Sequence, residues 1–294
     1  MGRYSRALVG VVVTALLAFV IAGCARPDRA SLTGTLAHRA TSAHRSTGHH
    51  SGAGGATRTS TSGSAAAESQ ASPEQETPQP YRMLFVGASI TAGIGATSTA
   101  DSFPYLLGAE VRKMVGPVEE TVVATPGAPV RVALRWPLPT DQDLVVVHMA
   151  TNDFLRGTPL PLYQSDLLTL LRRIRAGSPH ATLVCLGAWA SPDQLNVDDQ
   201  GPAAYNQADQ ADCQAEGGYY VPLQRFFGQR RLHDPMPVGT SPELRAVLGV
   251  YHLGGRTVAF HPSDAGNDAI AQAIYGVLER NDSLRPVDMG GSNV

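Results

Sequence analysis

Leu144-Val145-Val146-Val147-His148-Met149 is a near-continuous apolar run, and such a run is the mark of a central strand covered on both faces. Outward from it the chain alternates strand and helix. Upstream, 82–86 reads as a short apolar strand, 103–115 carries apolar residues at helical spacing, and 120–124 is a valine-rich strand. Downstream, 163–175 is an amphipathic helix whose Leu167, Leu168, Leu170, Leu171 and Ile174 are expected to face the sheet. Then come a buried strand at 181–186, a helix at 203–215, a short strand at 219–223, a Pro- and Gly-punctuated stretch at 226–260, and a closing helix at 263–279. Strands alternating with helices of this length predict a doubly wound α/β domain, a parallel sheet sandwiched by helices.

Open α/β sheets bind ligands outside the carboxyl ends of their strands. Ser89 follows the first strand in Val86-Gly87-Ala88-Ser89-Ile90-Thr91-Ala92-Gly93, Gly127 follows the second, and Asn152 follows the third. Hydrogen-bonding groups from three unlinked segments therefore land on one rim. Far downstream, Phe260-His261-Pro262-Ser263-Asp264-Ala265-Gly266 puts a histidine on a late loop just before the last helix. A serine on a strand-to-helix turn and a distant histidine are the two groups that nucleophilic ester cleavage brings together. His233 and His252 could line a pocket, but His261 alone sits directly before a proline and a helix start. His148 reads as a core or supporting histidine. Trp189 either lines the cleft or packs inside, and Arg172, Arg173 and Arg175 read as a solvated helix face. An α/β-hydrolase elbow needs glycine where Thr91 stands, and a phosphate-binding loop needs a lysine that this turn lacks.

Four blocks, Gly87-Ala88-Ser89-Ile90-Thr91, Pro126-Gly127-Ala128, Ala150-Thr151-Asn152-Asp153 and His261-Pro262, together resemble the ordered motifs of the SGNH hydrolases, also called GDSL lipases and esterases. The resemblance covers essentially all of 81–286. It implies a flavodoxin-like three-layer α/β/α sandwich with a central parallel sheet. It also implies Ser89 as nucleophile and His261 as general base and then acid. The oxyanion hole would be the Ser89 N–H, the Gly127 N–H and the Asn152 side-chain amide. Such donors are worth about 3–4 kcal/mol each in other serine hydrolases. No metal or organic cofactor is implied.

The chain departs from the family pattern at three places. Ala88 stands where aspartate is most common, and Ala150 stands where glycine is usual. Val258 occupies the position, three residues before the histidine, of the aspartate that normally orients the ring. Three explanations stay open: a backbone carbonyl orients His261, another carboxylate such as Asp264 or Asp234 serves, or catalysis is weak or lost. Asp264 sits where it would cap the final helix. The expected function is a serine esterase acting on acyl or acetyl esters of lipid, glycan or small molecules. An acyltransferase of the same fold and a non-catalytic binding domain are the alternatives.

The amino-terminal part is not fold. Arg3 and Arg6 precede an apolar run over 7–22 that ends in Ile21-Ala22-Gly23-Cys24, which resembles a bacterial lipobox. About 16 apolar residues is short for a span, which needs about 20. Residues 1–23 are thus expected to be a lipoprotein signal, with Cys24 lipidated, the protein held on the extracytoplasmic face of the membrane, and 24–80 a Ser-, Thr-, Gly- and Ala-rich tether. His38, His44, His49 and His50 have no cysteine or carboxylate near them at ligand spacing, so no metal site is expected there. Residues 287–294 read as a tail. A net charge of −2 gives no sign of a nucleic-acid partner, and a monomer is expected. Cys185 and Cys213 could form a disulfide in an exported domain, or Cys185 could be a buried small hydrophobe.

Overall fold

Strand faces alternate with a period of two, so each apolar strand of a covered sheet feeds two cores. In the computed structural model, which describes residues 79–236 and 239–284, five parallel strands do this. They are β1 (Tyr81–Gly87), β2 (Val118–Ala124), β3 (Leu144–His148), β4 (Thr182–Leu186) and β5 (Tyr219–Val221), in the order β2-β1-β3-β4-β5. This is the flavodoxin-like order, with its switch point beside β1. The export signal at 1–23, Cys24, the tether up to residue 78 and the tail at 287–294 lie outside the described residues.

Met83 and Phe85 of β1, Leu144 and Val146 of β3, and Val184 and Leu186 of β4 enter one core. Helices α1 (Phe103–Val115) and α8 (Asp264–Arg280) close it with Phe103, Leu107, Val111, Ile270, Ile274 and Leu278. Leu84, Val86, Val145, Val147, Leu183 and Cys185 enter the other core. It is covered by α4 (Leu160–Gly177), through Tyr163, Leu167, Leu170, Leu171 and Ile174, and by α5 (Ala203–Ala215). Each such side chain, fully buried, contributes about 1.5–3 kcal/mol. Leu168 is only half-buried and belongs to neither core. Two short helices, α2 (Val130–Ala133) and α3 (Ala150–Arg156), follow β2 and β3 at the carboxyl edge of the sheet.

One expectation changes here and one open alternative is settled. The arginines of α4 are not merely solvated: Arg175 donates to the carbonyls of Ala181 and Glu216, each at 2.8 Å, and Arg173 to those of Leu134 and Trp136. Cys185 and Cys213 are joined, tying β4 to α5.

The stretch 226–260 is more ordered than its punctuation suggests. After α6 (Gln224–Phe227) it holds β6 (His233–Pro235), α7 (Pro242–Leu248) and β7 (Val250–Leu253), and β8 (Arg256–Pro262) follows. The strands form a second, antiparallel sheet in the order β6-β8-β7. Gly254 and Gly255 have φ of 55° and 76°, so β7 and β8 are joined by a two-residue hairpin turn that needs positive φ at both positions. His261 therefore stands near the end of a strand, not on a loop.

Candidate active site

Ser89 lies two residues beyond β1 in a series of turns closed by Ala92 N–H to the Ala88 carbonyl and Ile94 N–H to the Ser89 carbonyl, both 2.9 Å. The first regular helix begins only at Phe103, so the strand leads into a loop and not directly into a helix. A Cβ on Gly87 would fall 1.9 Å from Thr91 Oγ1. The residue two before the serine must therefore be glycine, because Thr91 folds back onto it.

His261 Nε2 is 2.9 Å from Ser89 Oγ, and Nδ1 is 2.6 Å from the Leu248 carbonyl. A carbonyl oxygen only accepts. The proton of the neutral ring is therefore on Nδ1, and the Nε2 lone pair faces the serine hydroxyl. Burial drives the His261 pKa down to about 4; the Leu248 hydrogen bond opposes this and His233 adds to it. The ring is neutral, and so basic, throughout the neutral range.

Neither carboxylate candidate bonds to the ring. Asp264 instead accepts from Thr97 N–H at 2.7 Å and Thr97 Oγ1 at 2.6 Å, and the cap of α8 is Ser263, whose hydroxyl accepts from Gly266 N–H. Asp234 is exposed on β6. Its carboxyl is raised by partial burial and by the charge of Asp264. Val258 is buried on β8, and an irregularity in the β6–β8 pairing lies between it and His261.

Gly87 pairs in register with Ala124 of β2 and His148 of β3, which sets the three rim segments side by side. In the loop Thr125-Pro126-Gly127-Ala128-Pro129-Val130 the amides are almost all committed. Thr125 N–H bonds to Gly87, Ala128 N–H to Thr125, and Val130 N–H to the Asp153 carboxylate, while the prolines have none. Gly127 N–H, at φ 75°, is left without a protein acceptor among the described residues. Asn152 is half-buried in the first turn of α3.

Several supporting residues were not legible as such. Trp189 is fully buried and does not line the cleft; its backbone N–H donates to Thr151 Oγ1 at 2.9 Å and its indole N–H to the Phe260 carbonyl at 2.7 Å. His148 Nε2 also meets Thr151 Oγ1, at 3.2 Å. A polar chain thus runs from β3 past Asn152's neighbour to the strand of His261. Buried Asn267 accepts from Phe103 N–H and donates to the Pro262 carbonyl, joining α1 to the end of β8. At Gly95, φ 101°, a Cβ would sit 2.4 Å from the Pro262 oxygen and 2.9 Å from His261 Cβ, so the serine loop lies directly on the histidine strand. His233 is tied to the Ala259 and Phe227 carbonyls, and His252 is exposed on β7 beside Thr257. Among the described residues, no cluster of three or more His, Cys, Asp or Glu could hold a metal ion.

The family model of the GDSL-like Lipase/Acylhydrolase family matches residues 85–269, more than half of the chain. No curated protein matches it. Among solved structures it is similar to the salicylyl-acyltransferase SsfX3 from a tetracycline biosynthetic pathway, with a TM-score of 0.51 and 17% identity; 71% of this chain is covered, and it spans 58% of that one. The psychrotrophic esterase EstA from Pseudoalteromonas sp. gives 0.48 and 14%, over 68% of this chain and 97% of that one. A carbohydrate esterase family 2 enzyme from Corynascus thermopiles (Myceliophthora fergusii) gives 0.49 and 16%, over 69% and 67%. At such identities the likeness is one of fold.

Proposed function

The chain belongs to the GDSL-like lipase/acylhydrolase family, and from that premise we propose that it is a serine esterase cleaving carboxylic esters through Ser89 and His261. The carrying observation is the line Leu248 carbonyl, His261 ring, Ser89 Oγ, with separations of 2.6 and 2.9 Å. Ser89 Oγ attacks the ester carbonyl carbon as its proton passes to Nε2. The oxygen of the tetrahedral adduct takes the negative charge, and the N–H groups of Ser89 and Gly127 and the Asn152 amide meet it there. Collapse breaks the bond to the alcohol oxygen, which leaves with the proton from Nε2. Water then gives its proton to Nε2 and attacks the acyl-serine, and the same proton returns to Ser89 as the acid departs.

Leu248 takes the place of the usual carboxylate. Its carbonyl dipole accepts from Nδ1–H and stabilises the imidazolium formed in each step, though less than a full charge would. The bond raises the ring's pKa but does not offset burial, which leaves it at about 4.

The same proposal covers location. A lipid on Cys24, after the apolar run 7–22, would hold the enzyme at the outer face of a bacterial membrane, with its substrate an ester of lipid, glycan or small molecule. The Cys185–Cys213 disulfide supports an oxidising compartment.

The test is a panel of p-nitrophenyl esters and a fluorophosphonate probe, with Ser89→Ala and His261→Ala beside the wild type. The wild type should turn over and be labelled, and both variants should lose turnover. A wild type no faster than Ser89→Ala across the panel would overturn the proposal. For location, Cys24→Ala should leave the membrane fraction; retention there would count against the anchor.

A further inference from the structure

Helix α3 carries one proposed oxyanion donor, Asn152, and holds the loop that carries another. Arg156 lies one helical turn beyond Asn152 and on the same face. It donates from Nη2 to the Gly127 carbonyl at 2.9 Å. Asp153, next to Asn152, is buried and accepts the Val130 N–H at 2.7 Å. The loop is thus gripped at two points by a helix of 7 residues.

Between those points little freedom remains. Ala128 N–H is bonded to the Thr125 carbonyl, and the Gly127 carbonyl in the same peptide plane is bonded to Arg156. Pro126 and Pro129 fix φ on either side. Gly127 itself is held at a φ of 75°. Its N–H belongs to the preceding peptide plane, which is set against the fixed carbonyl by the φ and ψ of Gly127.

We propose that Arg156, with Asp153 beside it, is a positioning residue that sets the Gly127 N–H relative to the Asn152 amide, and so tunes stabilisation of the tetrahedral intermediate without touching the substrate. The proposal rests on the serine-esterase reading above. The grip has a cost that ordinary packing would avoid: burial raises the Asp153 carboxyl to about 6, against the pull of the Val130 and Thr158 hydrogen bonds and of the Arg156 charge. A buried carboxyl held beside a proposed site, at the expense of stability, is the pattern expected of functional groups.

A structural role and a positioning role separate in kinetics. A group acting only on the transition state lowers kcat and leaves KM nearly alone. The experiment uses the full chain, p-nitrophenyl acetate, Arg156→Ala and Arg156→Lys, with melting curves for each. Arg156→Ala should lose about 10- to 100-fold in kcat, less than loss of a whole donor, with KM changed by less than about threefold. Labelling of Ser89 by a fluorophosphonate should slow as well, because the phosphoryl oxygen of that reagent meets the same donors as fluoride leaves. Millimolar guanidinium should restore part of the kcat of Arg156→Ala and none of that of Ser89→Ala. Arg156→Lys, which keeps the charge but not the fork, should fall between, and it supplies the comparison if the alanine variant does not fold.

A folded Arg156→Ala with kcat within twofold of wild type would overturn the inference. So would a loss of kcat that tracks a lowered Tm and does not respond to guanidinium. If instead the wild type neither hydrolyses esters nor labels at Ser89, it is the esterase reading that has failed.

Discussion

The Leu248 carbonyl stands 2.6 Å from His261 Nδ1, and Leu248 is the last residue of a helix of 7 residues in which no side chain is buried. The group that orients the ring is therefore carried on an exposed element and aimed by the turn that follows. Gly249 has φ 68° and ψ 162°, a region open in practice only to glycine, and a Cβ there would lie 2.8 Å from Phe260 Cβ. Gly249→Ala is expected to cost about 1–3 kcal/mol of stability and to turn the Leu248 carbonyl off the ring. Turnover should fall in kcat more than in KM. A variant that keeps wild-type kcat and Tm would show that this turn does not position the ring.

The depressed pKa of His261 makes a pH prediction. With the ring at about 4, kcat/KM should stay level from neutral pH to about 5 and then fall around pH 4. An unshifted imidazole would give a limb near 6.5. The stability sign follows from proton counts: between about 6.5 and 4 the unfolded chain holds the proton and the native ring does not. The contribution of His261 is thus fully present above 6.5 and is lost as pH falls through 4. Asp153, raised to about 6, titrates with the opposite sign, but it is common to wild type and His261→Gln and cancels between them. The wild type should lose stability relative to His261→Gln over that window in denaturant titrations; a gap constant with pH would refute the shift.

How much of this was readable depends on whether the information was local. The sheet was readable because buried parallel strands are written as apolar runs, and Val145 or Val184 can be nothing else. The rim positions of Ser89, Gly127 and Asn152 followed from each lying just after a strand of a parallel sheet. The second sheet was written too, in Gly254-Gly255 between Val250-Tyr251-His252-Leu253 and Thr257-Val258-Ala259-Phe260, the pattern of a tight hairpin. The neighbouring prolines and glycines hid it. Leu248 could not be found from sequence, since any residue supplies a backbone carbonyl. Asp264 was noticed for its charge, yet its partner, Thr97, lies 167 residues away, and only the fold brings them together.

Asp264 offers a direct choice between two roles. As an acid partner, its loss would cost about 10,000-fold in kcat, as removal of a triad carboxylate does in serine proteases. As observed, it bridges the loop after Ser89 to the helix after His261 through both Thr97 donors. The expected result is a modest loss, about 1–2 kcal/mol of stability and a correspondingly small fall in kcat. Thr97→Val removes one of the two bonds and should cause part of the same loss. In a double-mutant cycle the Asp264→Ala and Thr97→Val effects should be less than additive. Full additivity would refute the bridge to Thr97, and a kcat collapse in Asp264→Ala alone would return the acid role to it.

The disulfide between β4 and α5 gives the last expectation. Cys185 and Cys213 are separated by 28 residues, and closing a loop of that length restricts the unfolded chain by an amount worth about 3–4 kcal/mol. Both sulfurs are buried in the core on the α4–α5 side of the sheet, and Cys185 lies on β4, two strands across from the β1 strand that leads to Ser89. Cys185→Ala with Cys213→Ala should therefore lower Tm by several degrees while leaving kcat on a p-nitrophenyl ester within about twofold at a temperature where the variant is folded. Reduction of the wild type should reproduce that Tm, since the same cross-link is lost. A double variant with unchanged Tm would mean the bond does not form in the protein, and with it would go the support it lends to an oxidising compartment.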